Sequence, residues 1–146
     1  MKLLTVDDSR MIRMIIINTI KSMGLEALEA PNADKALEIL ETESDNINLI
    51  LLDWNMPGMN GFELLKIIKT TEKYKHIPVM MVTTEGERKN VLKAIQTGAE
   101  NYLTKPFTPE DLSTKILECL GMAESYMMSG DDQNEIPNLD LDDLEL

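Results

Sequence analysis

The sequence has one cysteine, Cys119, and one histidine, His76. Those counts exclude an intrachain disulfide, a Cys/His zinc cluster and a Cys–His catalytic pair. A lone cysteine also suits a reducing compartment. Long apolar runs are missing as well: none approaches 18 residues, and the start Leu3-Leu4-Thr5-Val6 meets Asp7 and Asp8 before a signal-peptide core could form. The expectation is a cytoplasmic protein. Bases are scarce, with 14 Lys and Arg against 26 Asp and Glu and a formal net charge of −12. An acidic chain without a basic stripe lacks the counterion release that drives most nucleic-acid binding, and anionic lipid repels it. Neither nucleic acid nor membrane is expected as a partner.

What is present is enough apolar material for one core: 43% of 146 residues. A chain of this size can bury roughly two-thirds of the surface it exposes when unfolded. The charge is uneven. Residues 122–146 carry eight acids and no Lys or Arg, which leaves 18 acids against 14 bases in residues 1–121. We therefore expect a folded domain over 1–121 and an acidic C-terminal tail over 122–146. In that tail Ser129-Gly130-Asp131-Asp132-Gln133-Asn134 reads as a linker, and Ile136, Leu139, Leu141, Leu144 and Leu146 punctuate the acids.

Short apolar runs alternate with segments of helical period, the pattern of repeated β-α units on a parallel sheet. The first strand is Leu3–Val6. The helix after it has Ser9 as N-cap, Ile12, Ile16, Ile20 and Met23 on one face, and Gly24 as its stop. Met11, Met14, Ile15 and Ile17 are expected to widen that core-facing stripe. A short strand at Leu25–Leu28 precedes a helix from Ala33 to about Glu41. Four consecutive aliphatics in Asn48–Asp53 predict a central strand buried on both faces. A helix carrying Phe62, Leu65 and Ile68 follows, then a strand over Pro78–Val82 and a helix with Val91, Leu92 and Ile95. Tyr102-Leu103 is a brief fifth strand, and Pro109–Leu120 is the last helix, with proline in its first turn. The expected fold is a doubly wound α/β sheet of five parallel strands. His76 is expected on the surface and Cys119 in the core.

In such a sheet, ligands bind beyond the carboxyl ends of the strands. Asp7 and Asp8 follow strand one, Asp53 ends strand three, Thr83 and Thr84 follow strand four, and Lys105 follows strand five. Crowded carboxylates repel by about 4 kcal/mol per pair at about 4 Å and an effective dielectric near 20, so a cation is needed among them. Mg²⁺ suits a few hard oxygens and keeps waters that phosphate oxygens can replace. A carboxylate beside it can act as a nucleophile toward phosphorus, with Lys105 and Thr83 neutralising phosphoryl oxygens.

The motifs Val6-Asp7-Asp8-Ser9, Asp53-Trp54-Asn55-Met56-Pro57, Asn60-Gly61, Met81-Val82-Thr83, Gly98-Ala99 and Tyr102-Leu103-Thr104-Lys105-Pro106-Phe107 are similar to those of the receiver domains of two-component response regulators. Stand-alone chemotaxis members resemble the chain most, over residues 1 to about 121. The resemblance implies a flavodoxin-like (βα)5 fold with strand order 2-1-3-4-5. It implies Asp53 as phosphoacceptor from a chemotaxis histidine kinase. It also implies Mg²⁺ on Asp8, Asp53 and the Asn55 backbone carbonyl, with Asp7 helping through water, and a cis peptide before Pro106. Thr83 and Lys105 would contact the phosphoryl group. Thr83 and Tyr102 would act as a switch that reshapes the face of helix four, strand five and helix five. Asn55, Thr84 and Glu85 would tune the phosphate lifetime, and Thr84, larger than the alanine common there, predicts slower self-dephosphorylation.

The resulting expectation is a single-domain chemotaxis regulator that binds a flagellar motor switch protein and meets a phosphatase of unknown type. It would be a signalling phosphoacceptor, catalysing only its own phosphorylation and dephosphorylation. The alternative is a phosphorelay intermediate that passes phosphate to a downstream histidine domain. A haloacid-dehalogenase-type phosphatase would need an acid at position 55, where Asn55 stands. A flavodoxin-like cofactor binder would need a phosphate loop where Asp7-Asp8 would repel phosphate. The acidic tail weakly resembles amphipathic peptides that grip such regulators. It is expected either to dock within or between molecules, on the output face or on helix one, or to act as a disordered solubilising segment.

Overall fold

The structure, a computed structural model, describes residues 1–121. The expectations for residues 122–146 lie outside them. Five strands, β1 (Lys2–Val6), β2 (Glu26–Ala30), β3 (Ile47–Leu52), β4 (Val79–Thr83) and β5 (Asn101–Thr104), form one sheet in the order β2-β1-β3-β4-β5. All neighbours are parallel, so each connection crosses over through a helix: α1 (Arg10–Ser22), α2 (Ala33–Glu43), α3 (Gly61–Thr70) and α4 (Arg88–Thr97), with α5 (Pro109–Cys119) closing the domain.

The strand period of two divides the core. Leu3, Leu49, Leu51, Met80 and Val82 point to one face, where Ile16 and Ile20 of α1 and Leu112 and Ile116 of α5 cover them. Leu4, Val6, Ile50, Leu52, Val79 and Met81 point to the other, under Ala36 and Leu40 of α2, Leu64 and Ile68 of α3 and Ala94 of α4. The aliphatic run Leu49–Leu52 is fully buried because β3 sits in the middle of the sheet. The chain turns one way after β1 and the other way after β3. The sheet thus has its switch point between their carboxyl ends, where Asp7 and Asp53 emerge.

Local chemistry sets the helix starts. Ser9, Asn32, Asn60 and Thr108 each accept a backbone N–H of the first turn. Asn60 and Thr108 complete reciprocal capping boxes with Glu63 and Asp111. His76 is exposed as expected. Cys119 is half-buried against the α1/α5 core, and burial pushes its thiol up to about 12, so it is poorly nucleophilic.

Two expectations need correction. The second strand runs from Glu26 to Ala30, later than Leu25–Leu28, because Leu25 still closes the end of α1 through its N–H on the Ile20 carbonyl. The stripe on α1 is also narrower than expected. Ile12 and Ile17 are half-buried, but Met11, Met14 and Ile15 are 69%, 53% and 39% exposed. A helix lying on a sheet buries one side only, and at 3.6 residues per turn the side holding Ile16, Thr19 and Ile20 turns these three outward.

Candidate functional site

The switch point gathers four segments. Asp7 is buried at the end of β1, Asp8 is exposed beside it, and Asp53 is buried at the end of β3. One carboxylate oxygen from each lies within 4.8 Å of the others. Lys105, just after β5, reaches across the sheet edge, with Nζ 2.8 Å from Asp7 Oδ2 and 3.4 Å from Asp53 Oδ2. Two of the three carboxylates, Asp7 and Asp53, therefore share one direct ammonium partner. Burial raises the Asp53 carboxyl above its ordinary value, aided by the Asp7 charge, while the Thr83 hydroxyl, Lys105 and the Asn55 N–H pull it back only partly.

Asp7 is held at every polar atom. Its N–H donates to the Ala30 carbonyl and its carbonyl accepts from Arg13 Nη1 at 2.7 Å. Its Oδ1 accepts the Ser9 N–H at 2.9 Å and its Oδ2 accepts Lys105. Arg13 is fixed in turn by Glu29, Nε to Oε1 at 2.7 Å. Asp8 has no hydrogen-bond or ion-pair partner among the described residues. Its free oxygens, with those of Asp53, are the ones open to a hard cation, and the oxygen-only donor set fits a divalent ion such as Mg²⁺. Asn55 is exposed two residues beyond Asp53, and its N–H reaches Asp53 Oδ1 at 3.4 Å.

Thr83 ends β4 fully buried, and its Oγ1 accepts the Glu85 N–H at 3.2 Å. Thr84 is exposed. The Glu85 carbonyl accepts the Tyr102 hydroxyl at 2.6 Å, and Glu85 Oε2 accepts from Asn90 of α4 at 2.8 Å. Tyr102 is buried, 6% exposed. Burial pushes its phenol up, so it stays a hydrogen-bond donor. One short chain of contacts thus joins Thr83, through Glu85, to β5 and α4. The Lys105–Pro106 peptide is cis, as the family motif implied.

Two contributors were not singled out from sequence for the roles they have here. Gly61 opens α3 directly under β3, and a Cβ there would overlap the Asp53 carbonyl and Trp54 Cα. Arg13 anchors Asp7 by its backbone. An Asn-Gly pair and a basic residue six positions after Asp7 were the only signals, and neither states its contact. Beside the acids, the Trp54 indole stacks on Phe62 with centroids 5.1 Å apart. Lys66 and, from α4, Lys93 lie 5.3 and 5.1 Å from the Phe62 centroid.

A five-stranded 2-1-3-4-5 sheet with an acidic cluster and a lysine at its switch point defines a receiver. Residues 3–117 match the response regulator receiver domain family, and the chain belongs to it. Among its members the chemotaxis regulators named CheY are similar to this chain. A Campylobacter jejuni chemotaxis protein CheY homolog is 44% identical over 122 residues, covering 83% of this chain and 93% of the relative. Helicobacter pylori chemotaxis protein CheY1 is likewise 44% identical over 122 residues, covering 83% and 98%. The solved structure of the chemotaxis response regulator CheY4 of Vibrio cholerae superposes with a TM-score of 0.76 at 34% identity, covering 82% of this chain and 98% of that one. The chain is a receiver-domain signalling protein. Among the described residues, no helix is long and apolar enough to cross a membrane.

Proposed function

We propose that this protein is a chemotaxis response regulator that takes a phosphoryl group on Asp53 from a chemotaxis histidine kinase, in a Mg²⁺-dependent reaction. We propose further that it then binds a flagellar motor switch protein through the α4–β5–α5 face. The observation that carries this reading is the single ammonium of Lys105 bridging Asp7 and Asp53 within a three-carboxylate cluster. That arrangement favours neutralising the negative charge on the three oxygens of a phosphoryl group over moving protons.

An Asp53 carboxylate oxygen attacks phosphorus. The O–P bond forms while the P–N bond of a phosphohistidine breaks, and the imidazole nitrogen keeps the electron pair and takes a proton from solvent. Lys105 pairs with one phosphoryl oxygen, and the Thr83 hydroxyl donates to another. Asp8, Asp53 and the Asn55 carbonyl would hold Mg²⁺, with Asp7 helping through water, and the ion when bound would neutralise charge on the transferring group. When Thr83 turns toward the phosphoryl group, its Oγ1 leaves the Glu85 N–H. The Glu85 carbonyl that holds Tyr102 belongs to the same turn. A charge placed on Asp53 is thereby passed to β5 and α4.

The test adds Mg²⁺ and a small acyl-phosphate donor to the purified chain while following Trp54, the sole tryptophan. Quenching by Mg²⁺ and a second change on phosphorylation are expected, with acid-labile phosphate on Asp53, and the phosphorylation step disappears in Asp53→Asn. Absence of acid-labile phosphate, or its attachment elsewhere, overturns the reading.

A further inference from the structure

Apart from Met1, the large apolar side chains most exposed among the described residues all lie on α1: Met11, Met14 and Ile15. Their i, i+3 and i+4 spacing puts them on one face, opposite the buried Ile16 and Ile20. Arg10 and Lys21 stand eleven residues apart, about three full turns, so both line the same border of that face. Neither side chain makes a hydrogen bond or ion pair among the described residues, both are exposed, and α1 contains no acid. A contiguous apolar face edged by free bases is shaped for an apolar, acidic occupant.

The chain itself carries one. Residues 135–146 hold Ile136, Leu139, Leu141, Leu144 and Leu146 among five acids, with no base. The chain leaves the described domain at Gly121, just past α5, which shares a core with α1. The fifteen residues from Gly121 to Ile136 have a root-mean-square reach of about 20 Å as a coil, and α1 is itself about 20 Å long. A tether of that reach gives an effective concentration on the order of 1 mM, so an intrinsic affinity of about 1 mM already docks half of the tails.

We propose that residues 135–146 dock in cis on the Met11, Met14 and Ile15 face of α1, with the tail acids along Arg10 and Lys21. The inference does not depend on phosphorylation of Asp53, so either can fail alone.

A nitroxide placed on the full chain at Asp142→Cys tests it; Cys119, half-buried and with its thiol far above neutral, reacts poorly at pH 7. In the ¹⁵N-labelled protein the amides of Met11, Met14, Ile15 and Asn18 should lose roughly half or more of their intensity, as the half-docked population requires. The loss should shrink as salt rises. It should disappear in Met14→Glu and in Arg10→Glu, whose melting midpoints stay close to wild type because both side chains are exposed. Mixing labelled chains with separately spin-labelled chains should produce no loss. Broadening confined to α4, β5 and α5, broadening seen only in the mixed sample, or none at all would each overturn the proposal.

Discussion

Replacing Asp53 by asparagine should make the metal-free protein more stable. At the 4.8 Å that bounds the cluster, each carboxylate pair involving Asp53 costs about 3.5 kcal/mol at an effective dielectric near 20. Lys105 at 3.4 Å returns about 5 kcal/mol on the same scale. Two repulsions against one attraction leave a net cost of about 2 kcal/mol, before any burial penalty. For a domain of this size that corresponds to a rise in Tm of about 6–10 °C for Asp53→Asn, read by calorimetry in a chelating buffer at neutral pH. The sign with pH follows from the raised carboxyl. The cost is absent below the unfolded value near 3.8, where Asp53 is protonated in both states. It grows as pH climbs through the folded value and is complete above it. The gap between variant and wild type should therefore close as pH falls toward 4. Saturating Mg²⁺ should reverse the order, since a ligand at a hundred times its Kd adds about 2.7 kcal/mol to the form that binds it. A variant that melts at or below wild type in chelator at pH 7, or a gap indifferent to pH, would refute the electrostatic reasoning.

Gly61→Ala should destabilise the fold by about 3 kcal/mol or more, measured by urea denaturation, because backbone rather than a flexible side chain blocks the new methyl. Asn60→Ala, which removes one half of a capping box, should cost about 1 kcal/mol in the same assay. Tyr102→Phe deletes the 2.6 Å bond to the Glu85 carbonyl and should lower stability by about 1 kcal/mol, with Mg²⁺ titration of Trp54 fluorescence unchanged. Thr84→Ala should shorten the phosphoryl lifetime several-fold, followed by loss of radiolabel after donor removal; an unchanged lifetime would remove Thr84 from that role.

The sheet was legible wherever one feature decided the matter. Leu49–Leu52 has no polar side, so it had to be central, and acids or a lysine immediately after strands had to fall on one edge. The width of the core-facing stripe on α1 was less legible than its orientation. Isoleucines and methionines surround the helix, and periodicity places Ile12, Ile16, Ile20 and Met23 on one side without telling how far around the helix burial extends. The packing of Ile16 and Ile20 in one core with Leu3 and Leu112 leaves Met11, Met14 and Ile15 outside it. The roles of Gly61 and Arg13 depend on contacts with the backbone of Asp53 and Asp7, which exist only once four segments have met.

The different anchoring of the two neighbouring acids has a kinetic consequence. Asp7 arrives with its rotamer and peptide already locked, whereas Asp8 is loose at the surface. A cation entering from solvent can be met first by the loose side chain and then settle against a preset frame. Most of the ordering entropy of Asp7 is lost during folding, so a divalent ion, if bound as proposed, would load and unload quickly without the site losing its shape.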